Sequence, residues 1–358
     1  LTKRILITGA GGPAGVNFAQ SLKLAHKKIL LVGTEANAYY AALAATDQVY
    51  VVPTAQVPDY IERINEVIRK ENLEFVHPQP DAEVLAISEN RERVQAEIFL
   101  PSRKTVRICQ DKFSSAALWK RKGIPVARTL KVNDTADVKK AFAELGSPLW
   151  IRARRGAGGR GSTPADNLQT ALSWIRYWRS RQPDWKFIAQ EHLQGRNIGF
   201  HSVWKDGELV TSMARERLQY IYPNLAPSGI TGTPSVQRTI HDDKVNDIAT
   251  HAVLAIDSDF TGIACVDLKE DRDSTPCVTE INSGRMFTTS FFFSYASNKL
   301  LGNHTANFPY LYVTLAYRER LPTLPKYNIL PENLYWIRHI DAPAKLLKDG
   351  ETIGTMYK

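Results

Sequence analysis

Over the first hundred residues, short apolar runs alternate with amphipathic stretches. Arg4–Thr8 is dense enough to be a buried strand, and it ends in the glycine cluster Gly9, Gly11, Gly12 and Gly15. Apolar positions at helical spacing then run from Ala14 to Leu24. Further strands are expected at Lys28–Gly33, Gln48–Val52 and Leu73–Pro78, with helices at Asp59–Glu71 and Ala82–Val94. Strands that alternate with helices predict a parallel, doubly wound sheet.

Past Pro101 the rhythm changes. A helix is predicted at Asp111–Lys122, and Gly123-Ile124-Pro125-Val126 opens a β-rich stretch. It contains the glycine-rich segment Arg155–Ser162, a helix at Asn167–Arg181 and a strand at Phe187–His192. His201–Lys205 and Glu208–Ala214 flank Asp206-Gly207, a strong hairpin signal. A helix at Lys244–Ile256 precedes two strands, Gly262–Lys269 and Pro276–Ile281, joined by the polar turn Glu270–Ser274. The Pro-containing tail beyond Asn303 is expected to pack as α/β structure. Three units are expected, spanning 1–108, 109–190 and 191–358, with no internal repeat.

The composition, 43% hydrophobic and 23% charged, excludes a disordered or fibrous chain. A net charge of +9 calls for a polyanionic partner, either nucleic acid or a smaller phosphate-bearing molecule. Cys109, Cys265 and Cys277 are too scattered for a disulfide framework or a zinc site. They fit a reducing compartment, and with no leader expected at the basic start and no spanning apolar run, a cytoplasmic location is expected.

Four segments could carry chemistry. Thr8–Gly15, between a strand and a helix, reads either as a dinucleotide turn, with Glu35 holding a ribose, or as a glycine-rich turn that binds nothing. In Trp150–Ser162, a strand bearing Arg152 enters a loop with Gly156, Gly158, Gly159 and Gly161. Such a loop can lay backbone N–H groups on a triphosphate, or it can be a solvated basic arm. It lacks the Gly-Lys-Ser/Thr ending of a P-loop. Asp267 and the Glu280-Ile281-Asn282 triplet lie on strands joined by a turn, so alternation points Glu280 and Asn282 to one side. Hard oxygen donors of this kind suit Mg²⁺ shared with phosphates. Phe187–Leu193 can offer backbone groups to an adenine edge, or it can be an ordinary core strand.

Taken in order, Asp111-Lys112, Gly123-Ile124-Pro125-Val126, Arg152, the glycine loop, Gln190-Glu191-His192-Leu193 and Asp267…Glu280-Ile281-Asn282 resemble the ATP-grasp enzymes. The likeness is greatest to the carbamoyl-phosphate-synthase-large-subunit type, which is related to D-alanine–D-alanine ligase, biotin carboxylase and the carboxylate–amine ligases. It covers most of the chain. Thr46-Asp47 and Pro80-Asp81-Ala82-Glu83 resemble the domain that precedes the ATP-grasp unit in that family.

The resemblance implies an α/β chain, an ATP-grasp fold preceded by a Rossmann-like pre-ATP-grasp domain. It implies ATP and Mg²⁺ as cofactors, with Mn²⁺ an acceptable substitute. Lys112 and Arg152 would hold phosphates under a lid formed by Gly156, Gly158, Gly159 and Gly161. Gln190, Glu191, His192 and Leu193 would form the adenine hinge, the His192 side chain facing solvent. Asn197 stands near the ribose, where relatives often carry Glu. Asp267, Glu280 and Asn282 would hold the metal, and Arg285 and Arg217 would act on the reacting groups. Ser228–Gly232 resembles a substrate-side loop.

The expected activity is ATP-dependent amide-bond formation through an acyl phosphate. Alternatives are an ATP-grasp enzyme that makes an acyl or carbamoyl phosphate and, more remotely, an NAD(P)-binding reductase. The expected partners are a small-molecule carboxylate and an amine or amino acid, with no nucleic acid or membrane, and a second copy of the chain is a further candidate.

Overall fold

The computed structural model describes residues 2–25, 28–156, 159–340 and 342–356. The opening alternation forms β1 (Lys3–Thr8), α1 (Pro13–Ala25), β2 (Ile29–Glu35), α2 (Ala38–Ala41), β3 (Gln48–Val51), α3 (Tyr60–Glu71), β4 (Phe75–His77), α4 (Asp81–Glu89) and β5 (Glu97–Ile98). The five strands are parallel in the order β3-β2-β1-β4-β5, with Ile5 level with Leu31 and Phe75. β1 is apolar on both faces because both faces are covered. Leu6, Val32 and Val76 pack on Ile64 and Ile68 of α3, whereas Ile5, Ile7 and Phe75 face Phe18 and Leu22 of α1.

Helices α5 (Arg103–Cys109) and α6 (Lys112–Arg121) lead into the rest of the chain. The Asp111 side chain caps α6 by accepting from the N–H groups of Phe113 and Ser114. A four-stranded sheet follows, ordered β6-β9-β7-β8, from β6 (Thr129–Val132), β7 (Leu149–Ala153), β8 (Thr163–Ala165) and β9 (Phe187–Glu191). It is backed by α7 (Thr135–Leu145) and α8 (Leu168–Arg181).

The third sheet has eight strands and takes in the end of the chain. β10 (Asn197–Lys205) and β11 (Glu208–Tyr220) form its central hairpin, followed by β12 (Pro234–Ile240), α9 (Asp243–Ile256), β13 (Gly262–Glu270) and β14 (Pro276–Ser283). Asp206 and Gly207 both have positive φ, as the twist of a two-residue hairpin turn demands. Beyond α10 (Ser290–Ala296) and α11 (Phe308–Ala316), the tail supplies β15 (Leu334–His339), β16 (Ala342–Lys348) and β17 (Glu351–Met356), the last three strands of this sheet. Phe292, Phe308 and Tyr312 from α10 and α11 share one buried cluster with Phe18 of α1, so the first and third sheets enclose a common core. Among the described residues no helix is long and apolar enough to cross a membrane.

Under the turn after β1 lies a buried carboxyl. Glu83 is 6% exposed, its Oε2 has no hydrogen-bond partner, and a Cβ added to Gly9 would sit 3.8 Å from that oxygen. Burial pushes its pKa up to about 7, and Glu35 adds to the rise. A carboxyl whose folded pKa is raised contributes stability below about pH 4.5, and loses it as pH climbs through 7. The loss amounts to about 3 kcal/mol for a shift of this size. Glu83→Gln is therefore expected to flatten the decline in unfolding midpoint between pH 5 and pH 8. An unchanged decline in thermal melts would refute the assignment.

Candidate functional site

Alternation gives the large sheet two unlike faces. On one, Ile198, Phe200, Ala214, Val266, Leu268 and Ile281 pack against Val245, Ala249 and Val253 of α9. The other carries Asn197, Gly199 and His201 on β10, Arg215 and Arg217 on β11, Asp267 and Lys269 on β13, and Glu280 and Asn282 on β14. Pairing aligns them, with Gly199 opposite both Arg215 and Asp267, Asp267 opposite Glu280, and Cys265 opposite Asn282. The second strand of the hairpin was expected to end at Ala214. β11 instead continues to Tyr220, placing Arg215 and Arg217 on the strand itself.

Charges from all three sheets converge on this face. Glu280 Oε2 lies 3.1 Å from Lys112 Nζ and 2.8 Å from Arg152 Nη2. Burial would raise the Glu280 pKa, but Lys112 and Arg152 hold it well below the usual carboxylate range. Lys112 also donates to the Gly156 carbonyl at 2.7 Å, which ties α6 to the glycine loop. Asp267 is ion-paired with Arg217 and accepts from Asn282 Nδ2 at 3.2 Å. Asn282 Oδ1 accepts from Arg285 Nη2 at 2.5 Å, and Arg285 is ion-paired with Asp81 at the start of α4. A continuous polar chain thus connects the first domain to the large sheet. Among the described residues no three His, Cys, Asp or Glu side chains gather around one point, so Asp267 and Glu280 are joined by an amide and not by a third carboxylate.

Beside these charges is a cavity of about 120 Å³ between the four- and eight-stranded sheets. His192 is not turned to solvent as expected. Its ring lies flat against Trp150, centroids 5.7 Å apart at 4°, and both rings line this cavity. Burial, then the charge of Lys269, lowers the His192 pKa, so the ring is neutral at pH 7. Gln190 and Leu193 also line the cavity, although the Gln190 amide is bound to Thr129 Oγ1 at 2.9 Å. Glu191 is committed elsewhere, its carboxylate to Arg128 and its N–H to the Arg128 carbonyl. Asn197 is held between Arg217 Nη1 at 2.8 Å and the Tyr220 hydroxyl at 2.9 Å.

The glycine loop closes this cavity from one side. Gly156, Gly159 and Gly161 all have positive φ, and a Cβ on Gly159 would come within 2.8 Å of the Ile230 carbonyl. The loop thus touches the segment that contains Ser228–Gly232. Gly158 falls outside the described residues.

A wider cleft of about 650 Å³ separates the turn after β1 from the large sheet. Gly9, Gly12 and Pro13 line one wall, with Arg155, Asn282 and Arg285 opposite. Glu35 does not await a ribose. Its carboxylate accepts from the backbone N–H groups of Gly11, Ala36 and Asn37 at 3.1, 3.0 and 3.2 Å, and is buried. A Cβ on Gly11 would fall 1.9 Å from the Tyr40 carbonyl. The turn is packed against the chain where a dinucleotide would have to lie. The three thiols are buried and pushed up to about 12, which leaves no thiolate nucleophile.

The three-sheet arrangement has counterparts among solved structures. N5-carboxyaminoimidazole synthase from Aspergillus clavatus, in complex with ADP and 5-aminoimidazole ribonucleotide, superposes with a TM-score of 0.69 at 15% identity, over 95% of this chain and 84% of that one. The biotin carboxylase domain of Hydrogenobacter thermophilus 2-oxoglutarate carboxylase, bound to MgADP and bicarbonate, gives 0.68 at 15% identity, over 94% and 74%. The fold is the ATP-grasp fold. Residues 5–99 match the family described as PylC-like, N-terminal domain. A phosphoribosylamine–glycine ligase from Ralstonia nicotianae is 25% identical over 199 residues, 52% of this chain. The chain spans about half the length of that curated relative, 47%.

Trp150, Tyr220 and Lys269 were not anticipated. Trp150 and Lys269 sit on strands whose alternation turns them to the cavity side, a signal Trp150 carried two residues before Arg152, whereas Tyr220 reaches it through irregularities in the β11–β12 ladder.

Proposed function

We propose that this chain is an ATP-dependent carboxylate–amine ligase. The observation that carries the reading is the Glu280 carboxylate clamped between Lys112 and Arg152, one cation from a helix and one from a neighbouring sheet. Without nucleotide, the carboxylate neutralises cations that phosphates would otherwise meet. Phosphate oxygens of a bound Mg-ATP would meet Lys112 and Arg152, leaving Glu280 able to hold the metal.

Asp267, Glu280 and Asn282 supply three hard oxygen donors, and their count and type fit Mg²⁺ completed by phosphate and water. The metal, or Mn²⁺ in its place, would neutralise charge on the phosphates being separated. Trp150 and His192 provide a flat wall for the base, with Leu193 beside it. Gly156 and Gly159 let the loop fold over the triphosphate, and Arg217 and Arg285 flank the reacting oxygens.

In the reaction, a carboxylate oxygen bonds to the γ-phosphorus as the bond to ADP breaks, the electron pair leaving with ADP. An amine nitrogen then bonds to the acyl carbon, phosphate departs, and the amine proton is lost to it or to water. Fixed cations around the phosphoryl group account for the rate, with no covalent enzyme intermediate.

The likeness to a phosphoribosylamine–glycine ligase supports an amide product. The likeness to two carboxylating enzymes supports the second reading, an ATP-grasp enzyme that stops at an acyl or carboxy phosphate or hands it to another acceptor. Assays with Mg-ATP and a matrix of carboxylates and amines separate the two. ADP release that needs both partners is the expected result, whereas release with a carboxylate or bicarbonate alone favours the second reading. Binding of NADPH without ATP binding would overturn both. Trp150→Ala is expected to weaken ADP binding about tenfold through lost stacking on the base. Unchanged affinity in a calorimetric titration would remove Trp150 from the base site.

A further inference from the structure

Beyond Asp267, Glu280 and Asn282, the charged face continues into a second cavity of about 130 Å³, bounded by Phe287 and Thr288. Three guanidinium groups line it: Arg215, Arg217 and Arg285. Two have a carboxylate each, Asp267 for Arg217 and Asp81 for Arg285. Among the described residues, no carboxylate pairs with Arg215. Arg215 is nevertheless only 2% exposed. Its Nε donates to His201 Nε2 at 2.7 Å, and its Nη1 donates to Gln237 Oε1 and Thr289 Oγ1. All three partners are neutral.

The cluster is built, not incidental. His201 accepts at Nε2, so its proton is on Nδ1, and that nitrogen is buried without a partner. Phe287 stacks on His201 with ring centroids 3.8 Å apart and lies 5.5 Å from the Arg215 guanidinium carbon. Gly199, across the strand from Arg215, leaves the space that lets the groups meet. A Cβ there would fall 2.9 Å from Arg217 Nη2 and 3.2 Å from His201 Nε2.

Arginine keeps its charge where lysine would shed it, and a buried cation among neutral partners is costly until an anion arrives. Burial, then the charge of Arg217, presses the Arg215 pKa downward, which measures the same unmet need. In the proposed reading the phosphates are met by Lys112 and Arg152, which leaves Arg215 for a different anion. A planar guanidinium best matches a planar carboxylate.

We propose that Arg215, supported by His201 and Phe287, receives a planar carboxylate-type oxyanion of the co-substrate and holds it beside Asp267, Glu280 and Asn282. An organic carboxylate and bicarbonate share this chemistry. The assignment rests on the ATP-dependent ligase reading, since the oxyanion held here is the one whose oxygen bonds to the γ-phosphorus.

The test is calorimetry on the full chain preloaded with Mg-ADP, titrated with acetate, glycine or bicarbonate against chloride at equal ionic strength. At least one of these probes is expected to bind the wild type better than chloride. Arg215→Met is expected to weaken that binding about tenfold or more while ADP affinity stays within about twofold. Its melting midpoint without ligand should equal or exceed that of the wild type, because an uncompensated buried charge has been removed.

Equal probe binding in Arg215→Met, or no probe better than chloride, overturns the proposal. Should that variant fail to fold, Arg215→Lys decides. It keeps the charge but loses the fork, and is expected to weaken probe binding about fivefold with ADP binding intact, whereas unchanged probe binding overturns the proposal. Failure of the wild type to bind ADP would instead sink the ligase reading itself. Binding by bicarbonate alone identifies the inorganic source, and binding by acetate or glycine the organic one.

Discussion

Glu280→Gln is expected to abolish ADP formation, lowering turnover by about a thousandfold or more, the scale of losing a fixed electrostatic contact to a transition state. The amide keeps the shape and one acceptor oxygen but removes the charge that a hard cation selects. In the free protein the same carboxylate sits 3.1 Å from Lys112 and 2.8 Å from Arg152, so it competes with phosphate for both. Removing that competitor is expected to leave metal-free ADP binding equal or tighter, while the extra affinity conferred by Mg²⁺ disappears. This opposition between binding and turnover distinguishes the proposed role from a structural one, since a merely damaged site would lose both. Calorimetry with and without Mg²⁺, beside single-turnover ADP release, reads the two effects. Near-normal turnover, or parallel loss of metal-free ADP binding, would refute the assignment.

Most of the face that makes this prediction possible was legible in the sequence, for a definite reason. Gly262–Lys269 and Pro276–Ile281 are close in the chain and joined by one turn, which brings Asp267 near Glu280, while a bulge at Thr279 that no local pattern announces sets the two directly opposite. Lys112 and Arg152 were legible as cations of a phosphate site, but not as the present partners of Glu280. Those ion pairs link residues 168 and 128 positions apart, and no local pattern encodes such a meeting.

β11 was read short for a related reason. The apolar run of the second hairpin strand ends at Ala214, whereas in the fold the strand continues, Arg217 pairing with Asp267 and Arg215 with the neutral groups His201, Gln237 and Thr289. Trp150 was passed over because an aromatic on a strand ordinarily belongs to the core. Its partner His192 comes from β9's exit, level with it only once the four-stranded sheet forms. The tail's three strands were similarly hidden. They complete the edge of a sheet begun more than a hundred residues earlier, through the pairing of Val236 with Ile337.

Arg285→Ala is expected to lower kcat about a hundredfold or more while shifting the ADP dissociation constant by less than about threefold. The residue lies outside the cavity lined by Trp150 and His192, on the wall of the wider cleft, a position that suits the proposed contact with the phosphoryl group in transfer better than one with a bound diphosphate. Two neutral or anionic groups aim it. Asn282 Oδ1 accepts from Nη2 at 2.5 Å, and Asp81 pairs with it from the first domain. Asp81→Asn removes the aiming charge without touching the reacting atoms. It is expected to cost about tenfold in kcat, with the combined variant no worse than Arg285→Ala alone, because groups acting as a unit are not additive. Arg285→Lys should recover little, since a point charge cannot keep both contacts. A large loss of ADP binding with unchanged kcat would remove Arg285 from the transfer step. Full additivity of the two substitutions would break the link between the first domain and the reacting centre.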